Sequence, residues 1–234
     1  MEAKRVLITG GNKGIGLETT NLFLEGNYEL YIVARNFDDF PYKNRKNVHC
    51  IGYDISNVTD IKNIINYIGY IDILINNAGI MNTLPYDDYP IERQKELMNI
   101  NLYAPIELIN CTVPNMISKN YGRIVNVTSI AGQIGHPDIW YGVSKAGLIN
   151  ATKSYAKLLA KHGIIVNAVA PSTVVTNMTK MIPEERKAFM KSNSYLNRLA
   201  EADEIAKAIF WLATESPEYI NGTCIDINNG IFPR

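Results

Sequence analysis

Val6-Leu7-Ile8-Thr9-Gly10-Gly11-Asn12-Lys13-Gly14-Ile15-Gly16 opens the first structural unit of the chain: a short apolar run breaks into glycines and then into a helix-length segment, Gly14–Glu25. A glycine-rich turn between a strand and a helix lets backbone amides come close to a pyrophosphate, and the helix N-terminus adds partial positive charge. Gly10, Asn12, Lys13, Gly14, Ile15 and Gly16 are therefore candidate dinucleotide contacts. The same residues also serve as a plain turn in many chains. Their weight comes from position, directly after a first strand and inside a strand-helix-strand unit.

Working outward, apolar and β-branched runs recur at Arg5–Thr9, Glu29–Ala34, Val48–Tyr53, Ile71–Ile75, Arg123–Thr128, Ile164–Val169 and Thr223–Ile227. Continuous apolar runs, as opposed to alternating ones, belong to parallel strands covered on both faces. Helical segments fall between them at Gly14–Glu25, Val58–Ile68, Ile91–Ser118, Ile139–Lys161 and Asp203–Ala213. This alternation predicts an α/β fold, a Rossmann-type doubly wound parallel sheet of about seven strands. No linker, repeat or low-complexity stretch divides the 234 residues, so a single domain, 1–234, is expected. Pro105 interrupts the long segment Ile91–Ser118. Lacking an N–H, it leaves the Asn101 carbonyl without its helical donor, which either bends the helix and exposes that carbonyl inward or makes a simple packing kink.

Composition removes several classes of function. Lys and Arg number 23 and Asp and Glu number 23, so the basic excess of a nucleic-acid binder is missing. The N-terminal apolar run is cut short by Gly10 and Gly11, and no run reaches the roughly 18 residues of a membrane helix. A soluble, cytoplasmic protein is expected, with no nucleic acid and no membrane among its partners. Cys50, Cys111 and Cys224 are odd in number and far apart, which predicts buried free thiols and no metal site.

Ala34-Arg35-Asn36 ends the second strand about 20 residues beyond the glycine turn, where an acidic residue would bind a ribose 2′-hydroxyl and an arginine a 2′-phosphate. Arg35, with Lys13 in the turn, selects NADP(H) unless both are ordinary solvated side chains. Tyr141 and Lys145 stand four residues apart, on one face of a helix. A neighbouring cation favours phenolate and so is expected to bring the Tyr141 pKa down toward neutrality.

With these residues in view, the chain resembles the classical short-chain dehydrogenase/reductase family over essentially its whole length. Thr9-Gly10-x-x-x-Gly14-x-Gly16 looks like the family's glycine motif, Asn76-Asn77-Ala78-Gly79 like its strand-four motif and Tyr141-x-x-x-Lys145 like its active-site motif. The resemblance implies that Tyr141 is the general acid in reduction and that Ser129 hydrogen-bonds the carbonyl. It implies that Lys145 tunes Tyr141 and holds the nicotinamide ribose, and that Asn101 supports a proton relay through its main-chain carbonyl. It also implies cofactor contacts at Asp54 and Ile55 near the adenine, at Asn77, Ala78 and Gly79 along the adenosine, and at Pro171, Val174 and Thr176 near the nicotinamide. The family usually forms tetramers, so a homotetramer, or a homodimer, is expected.

The chain departs from the pattern at Ser172, where a glycine usually follows Pro171, and in a Ser129-to-Tyr141 gap one residue shorter than in many relatives, which the loop should absorb. Asn228-Asn229-Gly230 stands where a double glycine is common. Substrate choice falls to a lid at about 177–199 with help from Ile130–Trp140. Met178, Met181, Ile182, Phe189 and Met190 form either an adaptable apolar cover or the core contacts of a lid helix. His136 either touches substrate or is a surface loop residue. The length and Asn197-Arg198-Leu199-Ala200-Glu201 look most like 3-oxoacyl-[acyl-carrier-protein] reductases, which implies an acyl carrier protein as partner. Asn120 and His162, where such relatives carry basic residues, weaken that implication, although Lys119 and Lys161 stand beside them. The readings are thus an NADPH-dependent reductase of a small-molecule carbonyl, a dehydrogenase or reductase for a sugar, steroid or secondary metabolite, and a non-catalytic NADP-binding regulator, against which intact Ser129, Tyr141 and Lys145 argue.

Overall fold

The structure, a computed structural model, describes residues 3–176, 179 and 183–233. Its centre is one parallel sheet of β1 (Lys4–Thr9), β2 (Tyr28–Ala34), β3 (Val48–Gly52), β4 (Ile73–Asn76), β5 (Gly122–Val127), β6 (Ile164–Pro171) and β7 (Cys224–Ile227). The strand order is β3-β2-β1-β4-β5-β6-β7, with every pairing parallel. This is the doubly wound sheet the apolar runs predict. β2 lies on one side of β1 and β4 on the other, so the crossovers diverge and leave a crevice at the C-terminal ends of β1 and β4.

Why these runs are buried on both faces follows from the strand period of two. Val6 and Ile8 point into a layer with Phe23 of α1 (Gly14–Leu24) and Ile205 and Ile209 of α7 (Ala202–Thr214). Leu7, between them, points into the opposite layer with Ile61 and Ile65 of α2 (Ile61–Ile68), Leu108 of α4 (Ala104–Lys119) and Leu159 of α5 (Ile139–Leu159). At about 1.5–3 kcal/mol per fully buried aliphatic side chain, three consecutive residues fix β1 between the two layers. A polar residue at any of them would open one layer.

The long segment Ile91–Ser118 is not one bent helix. It divides into α3 (Ile91–Met98), a π-helical turn (Asn99–Tyr103) and α4, with Pro105 in the first turn of α4. Proline is well placed in a first turn, where an N–H is not needed, and the widened turn before it accommodates the missing donor. α6 (Glu184–Ser192) completes the helices and lies in the expected lid. Asn177, Met178, Met181 and Ile182 lie outside the described residues, so their lid placement remains an expectation. Cys50, Cys111 and Cys224 form no disulfide and are half-buried, not fully buried. Among the described residues no helix is long and apolar enough to cross a membrane.

Candidate active site and dinucleotide cradle

The turn after β1 is held by side chains as much as by its own backbone. The Thr9 hydroxyl accepts from the Asn77 and Ala78 amides, both at 3.0 Å, and the Asn77 side chain donates back to Thr9 O at 2.9 Å and Gly10 O at 3.2 Å. Asn12 donates to Asn36 O at 3.0 Å, tying the turn to the end of β2. Gly10 has φ +65°, a left-handed conformation that a side chain would strain. A methyl group on Gly16 would collide with Gly10 O and lie 2.6 Å from Asn77 Nδ2. The turn is therefore a bare backbone concavity at a helix N-terminus, which fits a dinucleotide pyrophosphate. Ile15 packs its side chain against the α1 layer and leaves only its backbone for that role.

Lys13 and Arg35, on either side of the Asn12 to Asn36 bond, are both exposed and make no ion pair among the described residues. Two cations at one corner without a protein counter-charge suit a phosphate. Ile55 is buried beside the end of β3, and Asp54 Oδ1 accepts from Ser56 N at 2.9 Å, shaping the turn that follows β3.

On the opposite wall, β5 ends at Val127, and Ser129 caps the 3-10 turn Ile130–Gly132 by accepting from Ala131 N at 3.1 Å. Ser129 stands close enough to the Tyr141 phenol to pull its pKa down, so the trimmed loop still brings this pair together. Lys145, one helical turn below, is 4% exposed, donates to Val127 O at 2.9 Å and stands 5.7 Å from the centre of the Tyr141 ring. A Cβ on Gly79 would meet Lys145 Nζ and Asn101 Oδ1, each at 3.3 Å. The strand-four motif thus lies against two of the four catalytic candidates, Lys145 and Asn101. Asn101 is fully buried: its Oδ1 accepts from Ile80 N, and its Nδ2 donates to Ile80 O, both at 2.8 Å, and to Ser144 Oγ at 3.2 Å.

One electrostatic expectation is reversed. Burial pushes the Tyr141 phenol up from its ordinary value, Ser129 opposes this, and the Asp138 carboxylate pushes it higher. Burial also brings the Lys145 ammonium down to about 8. Desolvation penalises both charged forms and is the largest cause of both shifts. A protonated phenol is the form needed to donate a proton.

Pro171 ends β6 buried, and Ser172 donates its N–H to Ile227 O at 3.1 Å without a positive φ, so serine replaces glycine there without backbone strain. Asn229, at φ +48°, takes the left-handed position where a glycine is common. Val174 bridges Ala200, and Thr176 approaches Gly14, whose added Cβ would lie 3.4 Å from Thr176 Cγ2. A cleft of about 620 Å³ opens there, lined by Gly14, Val175, Thr176, Lys187, Lys191 and Leu199. His136 is not a free surface residue: it is half-buried, its ring 5.2 Å from the Tyr141 ring, and burial lowers its pKa, keeping it neutral. Phe189 is 68% exposed and serves no core. Sequence reasoning passed over Thr9 as a site residue and Asp138 altogether, although Asp directly before an apolar helix start is a recognisable N-cap signal.

Residues 4–187 match the family model for short chain dehydrogenases. Among curated proteins, the chain is 34% identical to the 3-oxoacyl-[acyl-carrier-protein] reductase FabG of Haemophilus influenzae, covering 99% of each chain. It is 35% identical to that of Thermotoga maritima over 99% of this chain and 98% of the relative. Among solved structures, ElxO with NADP bound superposes with a TM-score of 0.90 at 30% identity, covering 99% of this chain and all of that one. A 4-hydroxyisoleucine dehydrogenase complexed with NADH gives 0.93 at 27% identity over 98% of both.

Proposed function

The chain belongs to the short-chain dehydrogenase family and is an oxidoreductase, and from that premise we propose that it uses NADPH to reduce a small-molecule ketone to a secondary alcohol. The observation that carries this reading is the Ser129, Tyr141 and Lys145 cluster facing the glycine turn across Gly79. Gly10, Asn12, Lys13, Gly14, Ile15 and Gly16 would hold the pyrophosphate, Lys13 and Arg35 the 2′-phosphate, and Asp54, Ile55, Asn77, Ala78 and Gly79 the adenosine side. Pro171, Val174 and Thr176 would line the nicotinamide end. When bound, the dinucleotide supplies the hydride.

The remaining work falls to side chains. Ser129 donates to the carbonyl oxygen and steadies its developing charge. Tyr141, kept protonated by burial, gives its proton to that oxygen. Lys145 orients the ribose, and Asn101 fixes the loop at Ile80 while its main chain, opposite Pro105, serves the proton relay.

The relatives suggest an acyl chain on a carrier protein as substrate. Lys119, which stands beside Asn120 where docking charge is expected, is instead paired with Asp72 at 3.1 Å and sits over the Tyr70 ring. That spent charge favours a free carbonyl compound over a carrier-bound one. Exposed Val143 and Leu158 on α5 and Ile117 on α4 suit a homotetramer, and three cysteines outside any disulfide suit the cytoplasm.

Following NADPH and NADH absorbance against a panel of acetoacetyl thioesters, diketones and keto sugars tests the reading. Wild type should consume NADPH with at least one of them, and Tyr141→Phe should lose about 100-fold or more in kcat while still binding NADPH. In Arg35→Asp the NADPH to NADH preference should fall about 10- to 100-fold. An unchanged ratio would refute the 2′-phosphate assignment.

A further inference from the structure

Asp138 is 3% exposed, yet it is a carboxylate for which the mechanism above has no use. It stands at the N-cap of α5, three residues before Tyr141, and both of its oxygens are engaged. Oδ1 accepts from Tyr141 N at 3.1 Å and from the Tyr89 hydroxyl at 3.3 Å, and Oδ2 accepts from Asn82 N at 2.9 Å. Tyr89 is itself held by the Asn82 side chain at 3.0 Å. A helix cap needs only one of these bonds. The others reach a different element, the loop that leaves β4 and carries Asn77, Ala78 and Gly79 at its start.

That loop is consequently gripped at two points, Ile80 by the Asn101 side chain and Asn82 by Asp138. Both grips come from residues beside the reacting centre. We propose that Asp138 is the positioning residue of this site: its carboxylate fixes the first turn of α5, and with it the Tyr141 hydroxyl, against the loop leaving β4. The assignment rests on Tyr141 being the proton donor.

Charge adds to geometry. Facing Tyr141 are Ser129 from the end of β5, Lys145 from its own helix, and His136 and Asp138 from the loop before α5. Around Asp138 itself stand Tyr89 and His136, whose Nδ1 lies 3.1 Å from Asp138 N, and Arg186 of α6 acts on His136 in turn. Of these, the Asp138 carboxylate alone adds negative charge near the phenol. It favours the protonated, donating form.

Two variants of the full chain separate the roles. Asp138→Asn keeps one acceptor, for Tyr141 N, but removes the charge and turns an NH2 donor toward Asn82 N, whereas Asp138→Ala removes both acceptors. Hydrogen exchange should be about tenfold or more faster across residues 80–90 in Asp138→Ala and also faster in Asp138→Asn, while the Tyr141 amide stays close to wild type in Asp138→Asn alone. The Tyr141 Cζ resonance in tyrosine-labelled protein, assigned by its loss in Tyr141→Phe, should titrate at lower pH in Asp138→Asn than in wild type. With an active substrate, kcat should fall about tenfold or more in Asp138→Ala at little-changed KM and by less in Asp138→Asn, which keeps the cap on Tyr141 N but not the hold on the loop. Unaltered exchange in Asp138→Ala, or an unmoved Tyr141 titration in Asp138→Asn, overturns the proposal. Neither of those readouts uses turnover, so a chain that reduces no carbonyl would defeat the functional reading and leave this one separately decided.

Discussion

The glycine turn between β1 and α1 and the segment from Ser172 to Ala200 border the same cleft through Gly14 and Thr176, and they are built in opposite ways. In the turn, Thr9, Asn77 and Asn12 cross-link three strand ends, and Gly16 is packed until not even a methyl group fits. Across the cleft, α6 buries no residue, and Phe189, Tyr195 and Leu196 are 68%, 72% and 62% exposed. α6 is tied back where the Thr173 hydroxyl donates to Met190 Sδ at 3.0 Å, and the chain after it where Tyr195 N donates to Asn229 O at 3.0 Å. A pyrophosphate has a fixed shape, so the residues that meet it gain from rigidity. A segment that selects among substrates gains from the ability to repack.

Adding the smallest possible group to the rigid side should break this contrast most visibly. In Gly16→Ala the new Cβ meets a backbone carbonyl, which cannot turn aside as a flexible side chain would, and the Asn77 side chain that ties β4 to β1. The turn must open, at a cost of about 1–3 kcal/mol, and the amide concavity opens with it. Denaturant unfolding should show that loss of stability, and fluorescence titration should show NADPH affinity reduced by about tenfold or more. Wild-type affinity in Gly16→Ala would mean that the turn is not the cradle.

How much of this was legible in the chain depends on how local the cause is. Val6-Leu7-Ile8 running into glycines states strand, turn and helix within a few residues, and the Tyr141 to Lys145 spacing states a shared face, so fold and catalytic pair could be read directly. Pro105 announced a break but not its form, because the π-turn at Asn99–Tyr103 is also shaped by Asn101 reaching Ile80, far away in sequence. The direction of the Tyr141 shift was misread for a related reason. A lysine four residues away is visible in sequence, whereas burial by the surrounding layers is a property of packing. Asp138 shows both sides: its cap role is local, but Asn82 and Tyr89 become its partners only through the fold.

Lys145 gives the contrast a thermodynamic signature. Its ammonium is held down at about 8 by burial, from an ordinary value near 10.5, so the unfolded chain binds its proton more tightly than the native one. Below pH 8 the native state bears the full cost of the buried charge. Between about 8 and 10.5 the native lysine is neutral while the unfolded one is still protonated, and the cost is progressively lost, so stability rises with pH in this window. Urea unfolding of wild type and Lys145→Met at pH 7 and pH 10 should show the wild type gaining on the variant as pH increases, by up to about 3 kcal/mol. A difference independent of pH would place the Lys145 pKa near its ordinary value and remove burial as the dominant influence in the site.

On the loose side the expected effect on stability is the smallest of all. Phe189 presents 68% of its surface to solvent, so removing its ring in Phe189→Ala withdraws little area from any packed layer. Unfolding free energy should stay within about 0.5 kcal/mol of wild type, although the atoms removed far outnumber the single methyl that disrupts the turn in Gly16→Ala. If α6 covers bound substrate, the same change should raise KM for ketones with long apolar chains by up to about tenfold, leave KM for small polar ketones alone and leave kcat unchanged, because binding lost equally from ground and transition states appears in KM only. A KM for long ketones unchanged in Phe189→Ala would take Phe189 out of substrate selection and move that role to the other wall, around Ile130–Trp140, where His136 already packs against Tyr141.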